Sequence, residues 1–88
     1  MERIAASGNT EVPAYLTLRQ AGFEVVATPV ENENERWVAT KADITLIAES
    51  PLELLGLWIM RKERGSDWKA SDEDIEAFLK HFYPNRKA

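Results

Sequence analysis

The segment from Leu52 to Met60 restricts the fold more than any other part of this 88-residue chain. Apolar side chains occupy seven of its nine positions. The preceding residues, Ser50-Pro51-Leu52-Glu53, form a capping box with proline at the first helical position, so we expect a helix that begins here. Three basic residues and then Gly65 predict its end near Arg64. Such a helix must be covered on more than one side, either by the rest of the chain or by a partner.

A glycine stands inside this apolar helix, at position 56. Glycine in a helix interior costs about 1 kcal/mol relative to alanine. We therefore expect that another backbone or an aromatic ring approaches the helix closely at Gly56.

Three segments before this helix have the alternation that is typical of strands. They are Phe23 to Val30, Arg36 to Thr40 and Ile44 to Ala48. Pro29 cannot donate a ladder hydrogen bond, so it should lie at a strand end or at an edge. A tight turn at 41–43 and other short connections predict an antiparallel meander. We interpret the polar run 31–35 as a connecting loop, since it lacks the glycine and the bidentate glutamate of an EF-hand.

Helices are predicted on both sides of these strands. The first should run from Val12 to Ala21, with Thr10 as its cap and Gly22 as its left-handed end. The last should begin after Ser71, because the acidic residues at 72–74 favour a helix N-terminus. Its apolar residues follow at i, i+3, i+4 and i+7; they are Ile75, Phe78, Leu79 and Phe82. Pro84 should end it.

The predicted fold is therefore α+β, with the element order αβββαα. We expect a three-stranded antiparallel sheet with both C-terminal helices packed on one face. Residues 1–10 should form a flexible arm, residues 11–84 a single domain and residues 85–88 a short tail.

The helix–strand–strand–strand–helix order of residues 12–64 resembles the topology of the double-stranded-RNA-binding domain. That family places a run of glycine and lysine at the start of its second helix, where it meets phosphates. Here the corresponding residues are Glu49-Ser50-Pro51-Leu52-Glu53. Because the phosphate-binding residues are missing, the resemblance implies the topology and not the function.

Composition excludes several kinds of site. The chain has no cysteine, which rules out disulfides, thiolate nucleophiles and zinc–thiolate sites and favours a cytoplasmic location. No stretch has the length of a signal peptide or of a membrane span. The net charge of −4 argues against general affinity for nucleic acid or for anionic membranes. The single histidine, His81, has no nucleophile or carboxylate placed beside it. We therefore expect no enzyme activity, no cofactor and no metal.

The favoured hypothesis is a small protein-interaction or adaptor domain, which self-associates or binds a protein partner. It depends on the surplus of apolar surface around the central helix. The residues expected to contact the partner are Leu54, Leu57, Trp58 and Trp68. Whether the two tryptophans belong to the core or to an interface is left open at this point.

The second hypothesis is a nucleic-acid-associated regulator that uses a small basic helix end. Its candidate residues are Arg61, Lys62, Arg64 and Lys69. Three cations at a helix end more often complement the helix dipole than bind phosphate, so this alternative ranks lower. A small enzyme or a small-molecule-binding protein ranks third, because no titratable groups converge in the sequence.

Overall fold

The computed structural model describes residues 1–29 and 35–85 of the chain. The predicted class and element order are both confirmed. In chain order the elements are α1 (Glu11–Gln20), β1 (Glu24–Pro29), β2 (Glu35–Lys41), β3 (Ile44–Ala48), α2 (Pro51–Arg64) and α3 (Asp72–Phe82). Most of the polar run at 31–35, and residues 86–88 of the predicted tail, lie outside the described residues.

The sheet is antiparallel with the strand order β1-β2-β3, so β1 and β3 are its edges. Val25 pairs with Ala39, which pairs with Leu46, and this row faces the core. The neighbouring row, Val26, Val38 and Ile47, faces the opposite side because side chains alternate along a strand. The strand pattern of the sequence therefore predicted the meander, whereas the pairing register comes from the structure.

The core lies between the sheet and two helices, α1 and α2. Its buried side chains are Leu18, Phe23, Ala39, Leu46 and Leu54. The indole of Trp58 meets the Phe23 ring edge to face, with 5.0 Å between ring centroids. The Lys41 ammonium lies over both rings, 5.7 Å from that of Phe23 and 5.5 Å from that of Trp58. Its stem and charge therefore cover the rim of the core.

Hydrogen bonds at the start of α2 tie this helix to α1. The Ser50 hydroxyl accepts from the Glu53 amide at 3.2 Å, as the capping box predicts. The Glu53 carboxylate accepts from the Glu49 amide at 2.9 Å, one residue before the expected Ser50 amide. The Leu52 amide donates to the carboxylate of Glu11 in the first turn of α1, at 3.0 Å. The Leu52 and Glu53 amides, which have no backbone partner in the first turn of α2, thus both donate to side chains.

The cap of α1 differs from the prediction. Thr10 makes no side-chain capping bond. Instead, the Asn9 side-chain oxygen accepts from the Val12 amide at 3.2 Å. Asparagine at this position competes well because its oxygen reaches the free amides of a first turn. Gly22 has a φ of 99°, so the predicted left-handed residue after α1 is confirmed.

The position of α3 departs from the expected packing on the sheet. No residue of α3 is buried, and Ile75, Phe78 and Phe82 are 48%, 54% and 60% exposed. Two helices, each about 10 Å across, already cover a sheet whose three strands are about 4.8 Å apart. A third helix therefore finds no room on that face. Its start is stabilised locally, by reciprocal hydrogen bonds between Ser71 and Asp74 of 3.1 and 3.2 Å.

Candidate interaction site

The four residues predicted to contact a protein partner fall in three different environments. Leu54 is 0% exposed and lies at the centre of the core, so it is not available to a partner in the folded chain. Trp58 is half-buried against Phe23 at the rim of the core. Leu57 and Trp68 are also half-buried, and the structure brings these two together along one groove.

This groove has a volume of about 460 Å³ and runs beside β3. We call it the β3 groove. One wall is formed by five consecutive residues, 43–47, and the other by Leu57, Arg61 and Trp68. The groove joins residues that are distant in sequence. Leu57 and Trp68 were candidates for protein contact, and Arg61 was a candidate for nucleic-acid contact.

The strand wall of the β3 groove is an edge of the sheet. Among the residues that the structure describes, β3 pairs only with β2, so its outer backbone N–H and C=O groups have no strand partner there. Residues with side chains on both faces of β3 line the groove, for example Leu46 and Ile47. The groove therefore follows the backbone edge itself rather than one face of the sheet.

The opposite wall belongs to α2 and to the segment that follows it. Leu57 and Arg61 are four residues apart, so they lie one above the other on the same side of the helix. Trp68 also lines the groove, and its backbone carbonyl accepts a hydrogen bond from Arg64 Nε at 2.9 Å. The Lys69 ammonium lies 5.8 Å from the centre of the Trp68 ring. Both cations therefore help to position the tryptophan.

Charged residues of both signs lie at this site. Arg61 lines the β3 groove, and Arg64 and Lys69 adjoin it through Trp68, whereas Lys62 is not part of the lining. Asp43 is the acidic member of the lining. Arg64 also lies close enough to the N-terminal cap of α3 to act electrostatically on Asp74.

This coupling is visible at Asp74, whose pKa is lowered. The main causes are the backbone and side-chain hydrogen bonds from Ser71, and the positive charge of Arg64 contributes less. Two of the four candidate nucleic-acid residues, Arg64 and Lys69, thus contact Trp68, and Arg64 also acts on the nearby acid Asp74.

A second groove, of about 430 Å³, lies where the first turns of α1 and α2 meet the start of β2. Three carboxylates line it, and they come from separate segments: Glu11, Glu35 and Glu49. Two of them already accept hydrogen bonds, Glu11 from the Leu52 amide and Glu35 from the Trp37 indole at 3.3 Å. This groove could not be predicted from the sequence, since no local pattern links its residues.

Among residues 1–29 and 35–85, no polar or charged side chain is buried. No cluster of three or more acidic, histidine or cysteine residues within those ranges could hold a metal ion. None of the helices described is both long enough and apolar enough to span a membrane.

No family model, no curated protein and no solved structure matches this chain. The functional interpretation therefore depends on the chain's own geometry.

Proposed function

We propose that this chain is a small, non-catalytic protein-interaction domain that binds an extended acidic segment of a partner protein in the β3 groove. The observation that supports it is the groove itself, in which a strand edge that no other described strand pairs with faces Leu57, Arg61 and Trp68. The absence of cysteine supports a cytoplasmic setting for this function.

An extended segment fits the strand wall because backbone groups at a sheet edge pair with another strand. The five residues of β3 offer about 17 Å of edge, at roughly 3.4 Å per residue. In a paired strand, alternate side chains point to the same side. Every second residue of the bound segment would therefore meet the helix wall.

The helix wall determines which side chains of the bound segment are preferred. Leu57 and Trp68 are half-buried apolar side chains, which suit an aliphatic or aromatic residue of the partner. Arg61 is exposed beside them, and its planar guanidinium pairs well with a carboxylate. The preferred segment therefore combines apolar residues with aspartate or glutamate.

The test uses a phage-displayed library of random dodecapeptides selected against the wild-type chain. A selected peptide is then synthesised with a fluorescent label, and its affinity is measured by anisotropy. We expect apolar and acidic residues to be enriched. We also expect Arg61→Glu to weaken binding about tenfold, because it reverses the charge that faces the peptide.

The matched control is Lys62→Glu, which makes the same charge change one residue away and outside the β3 groove. It should alter the affinity about twofold or less, since exposed charges outside a contact act weakly. Amide NMR shifts on peptide addition should concentrate at residues 43–47. Failure to enrich any peptide, or shifts centred elsewhere, would contradict the proposal.

The nucleic-acid alternative predicts a different pattern for the same two variants. Phosphate binding depends mainly on the number of cations, so Arg61→Glu and Lys62→Glu should weaken it to similar extents. Titration of labelled duplex and single-stranded oligonucleotides at low and high salt measures this directly. Strong, salt-dependent binding with equal losses in the two variants would favour this alternative.

A further inference from the structure

Residues 1–9 form an arm on the surface of the molecule, and we call them the exposed arm. All nine residues are exposed and lie outside helices and strands. The large apolar side chains of the arm, Met1 and Ile4, are the most exposed of their kind in the described chain, Ile4 at 87%. A Cβ atom built on Gly8 would have no neighbouring heavy atom within 4 Å, so the chain has room to turn there.

The exposed arm joins α1 at the end of the molecule where β3 ends and α2 begins. Glu11, the first residue of α1, lines the second groove together with Glu49 and Ser50, which connect β3 to α2. The Glu11 carboxylate also accepts a hydrogen bond from the Leu52 amide at 3.0 Å. An arm that turns at Gly8 can therefore run back along the edge of β3, towards the start of that strand.

The exposed arm is long enough to enter the β3 groove of its own chain. Ile4 and Glu2 are seven and nine residues before the start of α1. An extended chain of these lengths reaches about 24 and 31 Å. On α2, Leu57 and Arg61 lie about 7.5 and 13.5 Å beyond Leu52 along the helix axis, and a helix is about 10 Å wide. Both contacts are therefore within reach.

Two side chains of the exposed arm match the helix wall of the groove in order, spacing and chemistry. In an extended chain Glu2 and Ile4 point to the same side, about 6.8 Å apart. Leu57 and Arg61 are about 6 Å apart along α2. Because α2 follows β3 after a short connection and packs along it, Arg61 lies nearer the start of β3 than Leu57. The returning arm therefore places Ile4 at Leu57 and Glu2 at Arg61.

We propose that the exposed arm closes over the β3 groove of its own chain as an added strand parallel to β3, with Ile4 against Leu57 and Glu2 beside Arg61. This inference rests on the proposed function, because the arm occupies the site of the partner segment and so regulates access to it. Parallel pairing is slightly less stable per residue than antiparallel pairing. A partner segment that pairs antiparallel to β3 can therefore displace the arm.

The other charges at the site are compatible with this closure. Arg3 points to the opposite side of the added strand, because side chains alternate. Its charge offsets that of Glu2, so the exposed arm brings no net charge towards Asp43, the acidic residue of the groove. Arg64 and Lys69, which adjoin the groove through the neighbouring tryptophan, add to the attraction for Glu2.

The first experiment detects the closed arm by NMR and exploits the absence of cysteine. A nitroxide is attached to the ¹⁵N-labelled Ala5→Cys chain, whose label points away from the helix wall. We expect the amide signals of residues 43–47 to lose at least half their intensity, because the arm lies beside them. Adding Ile4→Glu should restore these signals, since it places a charge against Leu57. The matched control, Ile75→Glu on the exposed side of α3, should leave the broadening unchanged.

Two further samples test the charge contact and the identity of the groove that the arm enters. Glu2→Arg and Arg61→Glu should each reduce the broadening at residues 43–47, and the double variant should restore it, because the two charges are then exchanged. A mixture of spin-labelled unenriched chain with unlabelled ¹⁵N chain should show no broadening at these residues. Broadening in the mixture would mean that the arm enters the groove of a second copy.

The last experiment links closure to peptide binding. A peptide selected against the chain should bind Ile4→Glu about fivefold more tightly than wild type, which corresponds to a groove that is open in about one wild-type chain in five. Equal affinities, or broadening at residues 43–47 that Ile4→Glu does not change, would overturn the closure and leave the peptide site intact. Arm-dependent broadening without any selected peptide would instead contradict the proposed function alone.

Discussion

Two leucines of α2, three residues apart, have different roles in the folded chain. Leu54 is fully buried and belongs to the core. Leu57 is half-buried at the side of that core and also lines the β3 groove. In the sequence both are apolar residues of an apolar helix. Their difference comes from the angle at which α2 lies on the sheet, which local sequence does not specify.

The first prediction at this scale concerns Leu54. Replacing Leu54 with alanine should reduce the free energy of unfolding by about 2–5 kcal/mol, since it removes a buried side chain and leaves a cavity. Urea unfolding followed by tryptophan fluorescence measures the change. The control is Leu16→Ala on α1, where the leucine is 53% exposed and the loss should be below about 1 kcal/mol. Equal losses in both variants would contradict the position assigned to Leu54.

Lys41 is the residue whose role is least evident from the sequence. It lies at the end of β2 and pairs with Ile44 across the turn. In the folded chain its ammonium covers the rings of Phe23 and Trp58. These aromatic residues come from before β1 and from within α2, so only the tertiary fold brings them beside the lysine.

At the scale of elements, α3 is the helix whose stability depends most on its own residues. None of its side chains is buried, so tertiary packing contributes little to it. The capping box and the acidic first turn therefore carry a large share of its stability. A short helix of this kind is only marginally stable without such local interactions.

We expect α3 to lose helical structure in acid. The pKa of Asp74 is lowered by its hydrogen bonds with Ser71, so the ionised form is the one that stabilises the folded helix. Its contribution is present above the ordinary aspartate pKa and is lost as the pH falls through the lowered value, below about pH 4. NMR chemical shifts of residues 72–82 during an acid titration measure this.

Two variants separate this cap from the other acids of α3. Asp74→Asn should weaken the helix at neutral pH and reduce its response to acid, since it removes the titrating cap. Glu76→Gln keeps the cap and should retain most of the response. If Glu76→Gln instead abolished the acid transition, the assignment to Asp74 would be wrong.

At the scale of the whole molecule, a compact body carries two projecting segments. The radius of gyration is 16.0 Å, whereas a compact chain of this length would have about 12 Å. Residues 1–9 are exposed and lie outside helices and strands, and α3 stands apart from the body. The five residues of the core cluster lie between Leu18 and Leu54.

This arrangement predicts that α3 is dispensable for folding. A chain that ends at Ala70 should unfold cooperatively, with a free energy of unfolding within about 0.5 kcal/mol of the full chain, because it keeps every buried residue. Circular dichroism and urea titration measure both properties. Loss of the cooperative transition in the shorter chain would show that α3 contributes to the core after all.

Several properties of this protein follow from the sequence by itself. The α+β class, the order αβββαα and the caps at Ser50 and Ser71 can all be read from patterns a few residues long. They are predictable because strand alternation, helical periodicity and capping each depend on near neighbours in the chain. The same reasoning failed at Thr10, where Asn9 supplies a nearby alternative of similar strength.

The tertiary structure decided which apolar and charged residues are available to a partner. From the sequence, Leu57 and Trp68 were candidates for protein contact and Arg61 was a candidate for nucleic-acid contact. Residues 43–47, which form the strand wall of the β3 groove, were not candidates for either. Only the fold joins them, and only the fold leaves Gly56 and the apolar side of α3 uncovered. The physical reason is that burial depends on packing between distant segments, whereas a periodic pattern shows only that a residue is apolar.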